Sequence, residues 1–193
     1  MTISGNGNTT INGGIIALSA AFDHILIKSG TGTLTLTGTT STLDGAVNVN
    51  GGTVAISDWR AITNNTSTVN IGSTTTAAIL SIVGNNLTLA NLTTSKVINL
   101  AGTTGAATIL ANQTGTSPGV IFNADFTATG AGAKTLFLGG ANVGANTING
   151  AIVNNTGTFT TALTKIDAGR WILAGANSYT GATTIANGTL QLK

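Results

Sequence analysis

The chain of 193 residues is poor in several residue types, and each shortage excludes a class of protein. It has no cysteine, which excludes disulfides and thiolate metal sites. Only 6% of its residues are charged, and all five acidic residues are aspartates. The formal net charge of +2 offers little attraction for nucleic acid or anionic lipid, so we expect no nucleic-acid partner.

The sequence also lacks the segments that target proteins to membranes. Met1 is followed by neither a basic n-region nor an apolar h-region, so no signal peptide is predicted. The most apolar stretch, residues 13–22, is too short to span a bilayer, and we expect no membrane insertion by this chain. These absences suggest a processed fragment, an excised piece, or a protein exported by another route.

What remains is a strand-forming composition. Hydrophobic residues make up 41% of the chain, and the mean hydropathy is +0.36. Polar and apolar residues alternate over runs such as 33–37, 46–50 and 134–138, as is typical of strands with one buried face. Glycine and asparagine turn signals separate the runs roughly every 6 to 12 residues, which indicates many short strands.

A glycine-punctuated motif occurs twice, over residues 32–57 and 169–193. The glycines of the first copy are Gly32, Gly38, Gly45 and Gly52, and those of the second are Gly169, Gly175, Gly181 and Gly188. Such a unit buries its apolar face only by stacking on neighbours. At about 20 to 30 residues a coil, the repeat predicts a single-stranded right-handed parallel β-helix of about seven to nine coils, with residues 1–193 as one domain.

The second copy resembles the passenger-associated repeat of bacterial autotransporters. That repeat runs Lys-x-Gly-x-Gly-x-Trp-x-Leu-x-Gly-x-Asn-x-Tyr-x-Gly-x-Thr and ends in a Gly-Thr-Leu strand. The matching residues are Lys165, Gly169, Trp171, Leu173, Gly175, Asn177, Tyr179, Gly181 and Gly188–Leu190. Asp167 stands where the repeat has glycine, and the first copy has Leu34 and Thr42 at the tryptophan and tyrosine positions. The resemblance implies an exported β-solenoid rod and specifies no ligand.

The ionisable residues suggest no catalytic or metal site. The aspartates are Asp23, Asp44, Asp58, Asp125 and Asp167. Asp44 precedes Gly45, a setting in which aspartate commonly accepts backbone hydrogen bonds. His24 is the only histidine, and we expect it to be exposed or at an edge, with Asp23 on the opposite strand face. We therefore predict no catalytic residues, no metal site and no cofactor, and a protein that is not an enzyme.

Three other patterns carry hypotheses. A threonine array could bind ice, but the Thr-x-Thr pairs are irregularly spaced, which argues against it. The pairs are Thr33/Thr35/Thr37, Thr66/Thr68, Thr127/Thr129 and Thr158/Thr160. Asparagines at turns could stack as hydrogen-bonded ladders. Trp59 and Arg60 could bind a sugar or a partner surface. Trp171 is expected to pack inside the rod, and Phe122 and Phe126 are expected to fill the core or cap a coil.

Strand-like sequence at both termini suggests how the protein associates. Segments 2–4 and 189–193 are expected to expose strand edges and to join copies end to end. We expect a non-enzymatic rod outside the bacterial cell, either an adhesin passenger or a filament subunit, with a surface glycan or protein as a possible partner. The alternatives are a phage capsid-decorating or tail-fibre protein of the virion and, more weakly, a glycan-active tailspike-like enzyme.

Overall fold

The computed structural model describes residues 1–16, 24–62, 68–155 and 158–193. These residues form an all-β parallel solenoid with almost no helix, as the sequence predicted. Its strands are β1 Thr2–Ile3, β2 Thr9–Ile11, β3 Leu26–Lys28, β4 Thr33–Leu36, β5 Val47–Val49, β6 Gly52–Ile56, β7 Val69–Ile71, β8 Ala78–Ile82, β9 Thr93–Thr94, β10 Ile98–Leu100, β11 Ala107–Ala111, β12 Ile121–Phe122, β13 Phe126–Ala128, β14 Lys134–Gly139, β15 Asn146–Ile148, β16 Thr161–Lys165, β17 Arg170–Leu173, β18 Thr183–Ile185 and β19 Thr189–Leu192.

The strands lie in three parallel sheets that run along the rod. Sheet A has the order β1-β3-β5-β7-β10-β13, sheet B has the order β2-β4-β6-β8-β11-β14-β16-β18, and sheet C has the order β9-β12-β15-β17-β19. Each strand pairs with the equivalent strand of the next turn, so the backbone hydrogen bonds run along the rod axis. A Thr88-capped helix, α1 Leu89–Leu92, and a 3₁₀ turn at Trp59–Ala61 interrupt the strands.

Alternating side chains fill the interior of the rod. In sheet B, Leu34, Val54 and Leu80 lie in register on successive turns, and each is fully buried. Flanking residues such as Thr33, Thr35 and Ile79 are partly exposed, as period-2 alternation predicts, whereas Ala55 and Ser81 are buried. Because every turn contributes the same inward positions, the core is a column along the rod and not a single central cluster.

The two copies of the repeat occupy different pairs of sheets. The copy at residues 32–57 contains β4, β5 and β6, which belong alternately to sheets B and A. The copy at residues 169–193 contains β17, β18 and β19, which belong alternately to sheets C and B. The motif therefore encodes three short strands with the corners between them, and it can occupy either pair of sheets.

The rod has about six turns, so the predicted seven to nine coils was wrong. In-register residues are 19 positions apart between Arg170 and Thr189 but 29 apart between Ile79 and Thr108. Turns in the middle of the chain carry longer connections between strands, so fewer turns fit into the chain. The right-handed winding expected for parallel crossovers and the assignment of residues 1–193 to one domain stay predictions.

Candidate functional site

The described aspartates each bind a backbone amide. Asp44 accepts from the His24 N–H at 2.8 Å, and Asp125 accepts from the Ala151 N–H at 2.7 Å. Asp167 accepts from the N–H of Gly140 at 2.8 Å. Each of these bonds joins neighbouring turns, so the carboxylates fasten loops along the rod. Asp44 was predicted to accept a backbone hydrogen bond, and this is confirmed. The N–H that it binds, that of His24, lies in the preceding turn of the solenoid.

Asp167 shows why an acid can replace the glycine of the repeat. Its backbone has φ = +56°, in the left-handed region that aspartate tolerates better than most residues. Gly30, at the equivalent position of the first copy, has φ = +76°. The corner therefore requires this conformation in both copies, and the hydrogen bond to Gly140 compensates for the strain at Asp167.

His24 and Asp44 form a side-chain contact that sequence reasoning missed. The His24 Nδ1 lies 3.1 Å from the Asp44 carboxylate, and both side chains are partly exposed. The backbone and side-chain hydrogen bonds from His24 lower the pKa of Asp44. Asp23, the sequence neighbour considered for His24, lies outside the described residues. No group of three metal-binding side chains of the His, Cys, Asp or Glu type occurs in the described ranges.

Trp59 and Arg60 do not form the sugar-binding surface that their sequence suggested. Trp59 is 4% exposed, and its Nε1 donates to the Leu92 carbonyl at 3.2 Å. The Arg60 guanidinium donates to both carboxylate oxygens of Asp58. Burial of Asp58 opposes its ionisation, but hydrogen bonds from Arg60 and Asn91 outweigh that effect and lower its pKa. This cluster holds the loops around Trp59 together.

The predicted core aromatics are confirmed. Trp171 and Phe122 are fully buried, and Phe126 is 1% exposed. Phe122 contacts Trp59, Phe126 and Trp171 with ring centroids 5.4 to 6.1 Å apart. Trp171 Nε1 donates to the Gly139 carbonyl at 2.9 Å, so the repeat's tryptophan is a hydrogen-bonded core residue.

Two rows of uncharged residues run along the outer side of sheet B, although Ala55, Ser81 and Gly139 in the second row are buried. One row contains Thr33, Thr53, Ile79, Thr108, Phe137, Thr164 and Thr184. The adjacent row contains Thr35, Ala55, Ser81, Leu110 and Gly139. Eight strands at a spacing of about 4.8 Å make this face about 34 Å long.

The structure aligns threonines that look irregularly spaced in sequence, but it does not build a regular Thr-x-Thr array. Ile79 and Phe137 interrupt the first row, and the second row changes residue type on each turn. Thr66 lies outside the described residues. The face combines threonine hydroxyls with partly exposed aliphatic and aromatic groups, and it lacks the regular array expected of an ice-binding face.

Asparagine ladders are present, but the longest lies within strands and not at turns. On the outer face of sheet A, Asn70 Nδ2 donates to Asn48 Oδ1 at 2.7 Å, and Asn99 Nδ2 donates to Asn70 Oδ1 at 2.8 Å. Asn149 and Asn123, which follow strands of sheet C, form the expected turn contact at 2.8 Å. These ladders reinforce the pairing of successive turns.

The two predicted edge segments are the outermost strands of their sheets. β1 pairs with β3 alone, and β19 pairs with β17 alone, among the strands the structure describes. Beside β19, a cleft of about 440 Å³ is lined by residues that include Leu173, Tyr179 and Leu192. Leu192 is 74% exposed and Ile185 is 56% exposed, so this end of the rod presents unpaired backbone and apolar side chains.

The comparisons with known proteins identify the repeat. The sequence profile of the passenger-associated-transport-repeat matches residues 26–56 and 163–192. The chain carries the passenger-associated-transport repeat. Each matched range overlaps one copy of the motif and begins six residues before it, so the sequence resemblance is confirmed.

A relative in the curated proteins is similar over a longer stretch. The chain is 38% identical over 130 residues to the "Adhesin BmaC autotransporter" of Brucella suis biovar 1 (strain 1330). The match covers 63% of this chain but only 4% of that relative's length. No solved structure gave a significant match. Among the described residues, no helix is both long enough and apolar enough to cross a bilayer.

Proposed function

We propose that this chain is a non-enzymatic rod segment of an extracellular adhesin passenger on the bacterial surface. The observation that carries the proposal is the passenger-associated-transport repeat in two separate sections of a parallel solenoid. The similarity to an autotransporter adhesin supports the same conclusion. Neither finding favours the virion alternative, and the engagement of the carboxylates in backbone hydrogen bonds gives no support to a tailspike-like enzyme.

The cellular location of the protein distinguishes the adhesin passenger from the virion protein. Antibody raised against the purified chain is applied to intact source cells, followed by immunogold microscopy and by protease treatment of the intact cells. Surface labelling that external protease removes supports the adhesin passenger. Labelling confined to purified phage particles, or to the cell interior, contradicts it. A periplasmic protein followed in the same cells controls for leakage.

We propose that adhesion uses the outer face of sheet B. Its outward side chains are uncharged, and the flat parallel strands present them in rows. A neutral glycan or protein surface would therefore meet no charged side chain there, and Phe137 and Leu110 supply apolar contact. The low overall charge of the chain is consistent with such a partner.

The adhesive face is tested with beads coated with the chain and applied to a cultured epithelial monolayer under flow. Thr108→Lys and Phe137→Lys each place a charge on the outer face of sheet B. We expect each variant to weaken the contact about tenfold and to lower bead retention. The matched control is Thr147→Lys, which places the same charge on sheet C. Equal retention of all four proteins would show that sheet B is not the adhesive face.

We also propose that exposed strand edges allow rods to stack end to end. The edges are β1 at one end and β19 at the other, and the apolar Leu192 and Ile185 lie beside β19. Addition of a strand to such an edge forms a main-chain ladder like those between turns of the rod. The partner end is either a second copy of this chain or a further solenoid turn.

Negative-stain electron microscopy over a concentration series tests the stacking of separate copies. Filaments that lengthen with concentration in the wild type and are lost in Leu192→Lys support it. Leu89→Lys is the matched control, because Leu89 is also exposed but lies on α1, away from the edge strands. Short rods of constant length at all concentrations would contradict assembly between copies.

A further inference from the structure

Four of the five lysines are inside the rod. Their exposed fractions are 2% for Lys28, 6% for Lys96, 3% for Lys134 and 0% for Lys165, whereas Lys193 is exposed. Burying an ammonium group is costly unless the structure supplies hydrogen-bond acceptors. The contacts of three of these lysines show which acceptors they use.

Lys28 bonds to the corner that follows its own strand and to the corner of the next turn. Its Nζ donates to the carbonyls of Ser29 at 2.8 Å and Gly30 at 3.1 Å, which lie between β3 and β4. It also lies 3.4 Å from the carbonyl of Gly51, in the corner between β5 and β6. One ammonium group thus contacts two stacked corners between sheets A and B.

Lys165 repeats this geometry at a different corner. Its Nζ donates to the carbonyls of Ile166 and of Asp167, the latter at 2.7 Å, in the corner between β16 and β17. It reaches the carbonyl of Asn187, between β18 and β19, at 3.2 Å. Lys28 and Lys165 occupy the same position in the two copies of the repeat, although one corner joins sheets A and B and the other joins sheets B and C.

A third lysine makes the equivalent connection from the other side of a corner. Lys134 begins β14, and its Nζ donates to Ala131 at 2.9 Å in its own corner. It also donates to the carbonyl of Gly102, in the corner of the preceding turn. Lys134 lies outside both matched ranges of the repeat, so the arrangement recurs without the full motif.

We propose that Lys28, Lys134 and Lys165 are corner latches, interior ammonium groups that hold the corners of successive turns in line. The turns differ in length from 19 to 29 residues, so equal spacing does not align them. Carbonyl oxygens from two turns converge on each ammonium, which stabilises only the register in which both corners lie at the same place. The lysine of the repeat then holds its corner in line with the next corner whether the corner joins sheets A and B or sheets B and C.

Burial acts against the charge in each latch, and the carbonyls compensate for it. Burial lowers the pKa of Lys28 and of Lys134. It also lowers the pKa of Lys165, while the nearby Asp167 carboxylate acts in the opposite direction. If a buried lysine were merely tolerated, replacing it by an apolar side chain of similar size would stabilise the fold. Replacing a latch lysine would instead remove its carbonyl contacts and destabilise the fold.

The test compares Lys28→Met and Lys165→Met with Lys193→Met in the full chain. Methionine keeps much of the side-chain length but donates no hydrogen bond. We expect each latch variant to lower Tm by about 5–10 °C and the exposed control to change it by less than about 1 °C. In Lys165→Met, amide exchange should accelerate over residues 183–192 and stay unchanged over residues 26–36. An unchanged or higher Tm in the latch variants, or uniform acceleration along the chain, would overturn the proposal.

A second measurement needs no variant. Reductive methylation of the native wild-type protein, followed by mass spectrometry, reports which amines are accessible. We expect Lys193 and the N-terminus to react while Lys28, Lys134 and Lys165 stay unmodified until the protein is denatured. Methylation of Lys28 or Lys165 at the rate of Lys193 under native conditions would overturn the latch even if a methionine variant failed to fold.

Discussion

Replacing Phe122 by alanine should destabilise the rod more than any change at its surface. The side chain is fully buried, and its ring contacts Trp59, Phe126 and Trp171 at centroid distances of 5.5, 5.4 and 6.1 Å. Truncating a buried phenylalanine costs about 3–5 kcal/mol. Each aromatic pair adds about 0.5–1.5 kcal/mol beyond area burial, which places Phe122→Ala near the upper end. At about 2–4 °C per kcal/mol, we expect Tm to fall by about 10–20 °C.

The two tryptophans make this prediction easy to measure. Both contact Phe122, so tryptophan fluorescence reports on the cluster while far-UV circular dichroism reports on the strands. The matched control is Phe159→Ala, because Phe159 is 42% exposed and should cost less than about 0.5 kcal/mol. If Phe122→Ala unfolded within about 2 °C of Phe159→Ala by both signals, the assignment of a continuous aromatic core across turns would be wrong.

Three further changes test other parts of the rod by urea or thermal unfolding. Gly140→Ala should cost about 2–4 kcal/mol, because Gly140 has φ = +99° and a Cβ would lie 2.2 Å from the Ala111 oxygen; Gly7→Ala, in open space, should be nearly neutral. Asn99→Ala should cost about 1–3 kcal/mol by breaking the sheet A ladder, and a neutral result would remove the ladder's role. Burial lowers the pKa of Lys96 from 10.5 to about 8. Between about pH 8 and pH 10.5 the unfolded chain therefore binds more protons than the folded chain, so the free energy of unfolding should rise with pH in this range. Lys96→Met should flatten that rise.

Much of the fold could be predicted from local chemistry. Alternating runs such as Thr33–Leu36 can bury only one face, and a unit of short strands with glycine turns must stack on its neighbours. The roles of Asp44, Trp171 and Phe122 also followed from their immediate sequence settings. The number of turns did not, because long connections in the middle of the chain carry no signal that says how much of them forms strand.

Contacts between turns explain what sequence reasoning missed. His24 contacts Asp44, 20 residues away in sequence, and Asn91 contacts Asp58, 33 residues away. No short sequence motif therefore predicts either pair. Trp59 looked available to a sugar because it neighbours Arg60, but the 3₁₀ turn directs its ring into the core and leaves the guanidinium outside. Lys165 could have been proposed as a structural residue, because the repeat has a lysine at this position. Nothing in the motif shows, however, that its side chain points inward.

The sequence by itself determined the parallel solenoid and the passenger-associated-transport repeat, because strand alternation and glycine corners are local properties that recur along the chain. Only the tertiary structure decided which strands share a sheet. The same motif forms a corner between sheets A and B in one copy and between sheets B and C in the other. The turns of the solenoid contain 19 to 29 residues, and these lengths determine the position of each strand in its sheet. The strand positions in turn determine which threonines align on sheet B and which lysines contact the carbonyls of two turns.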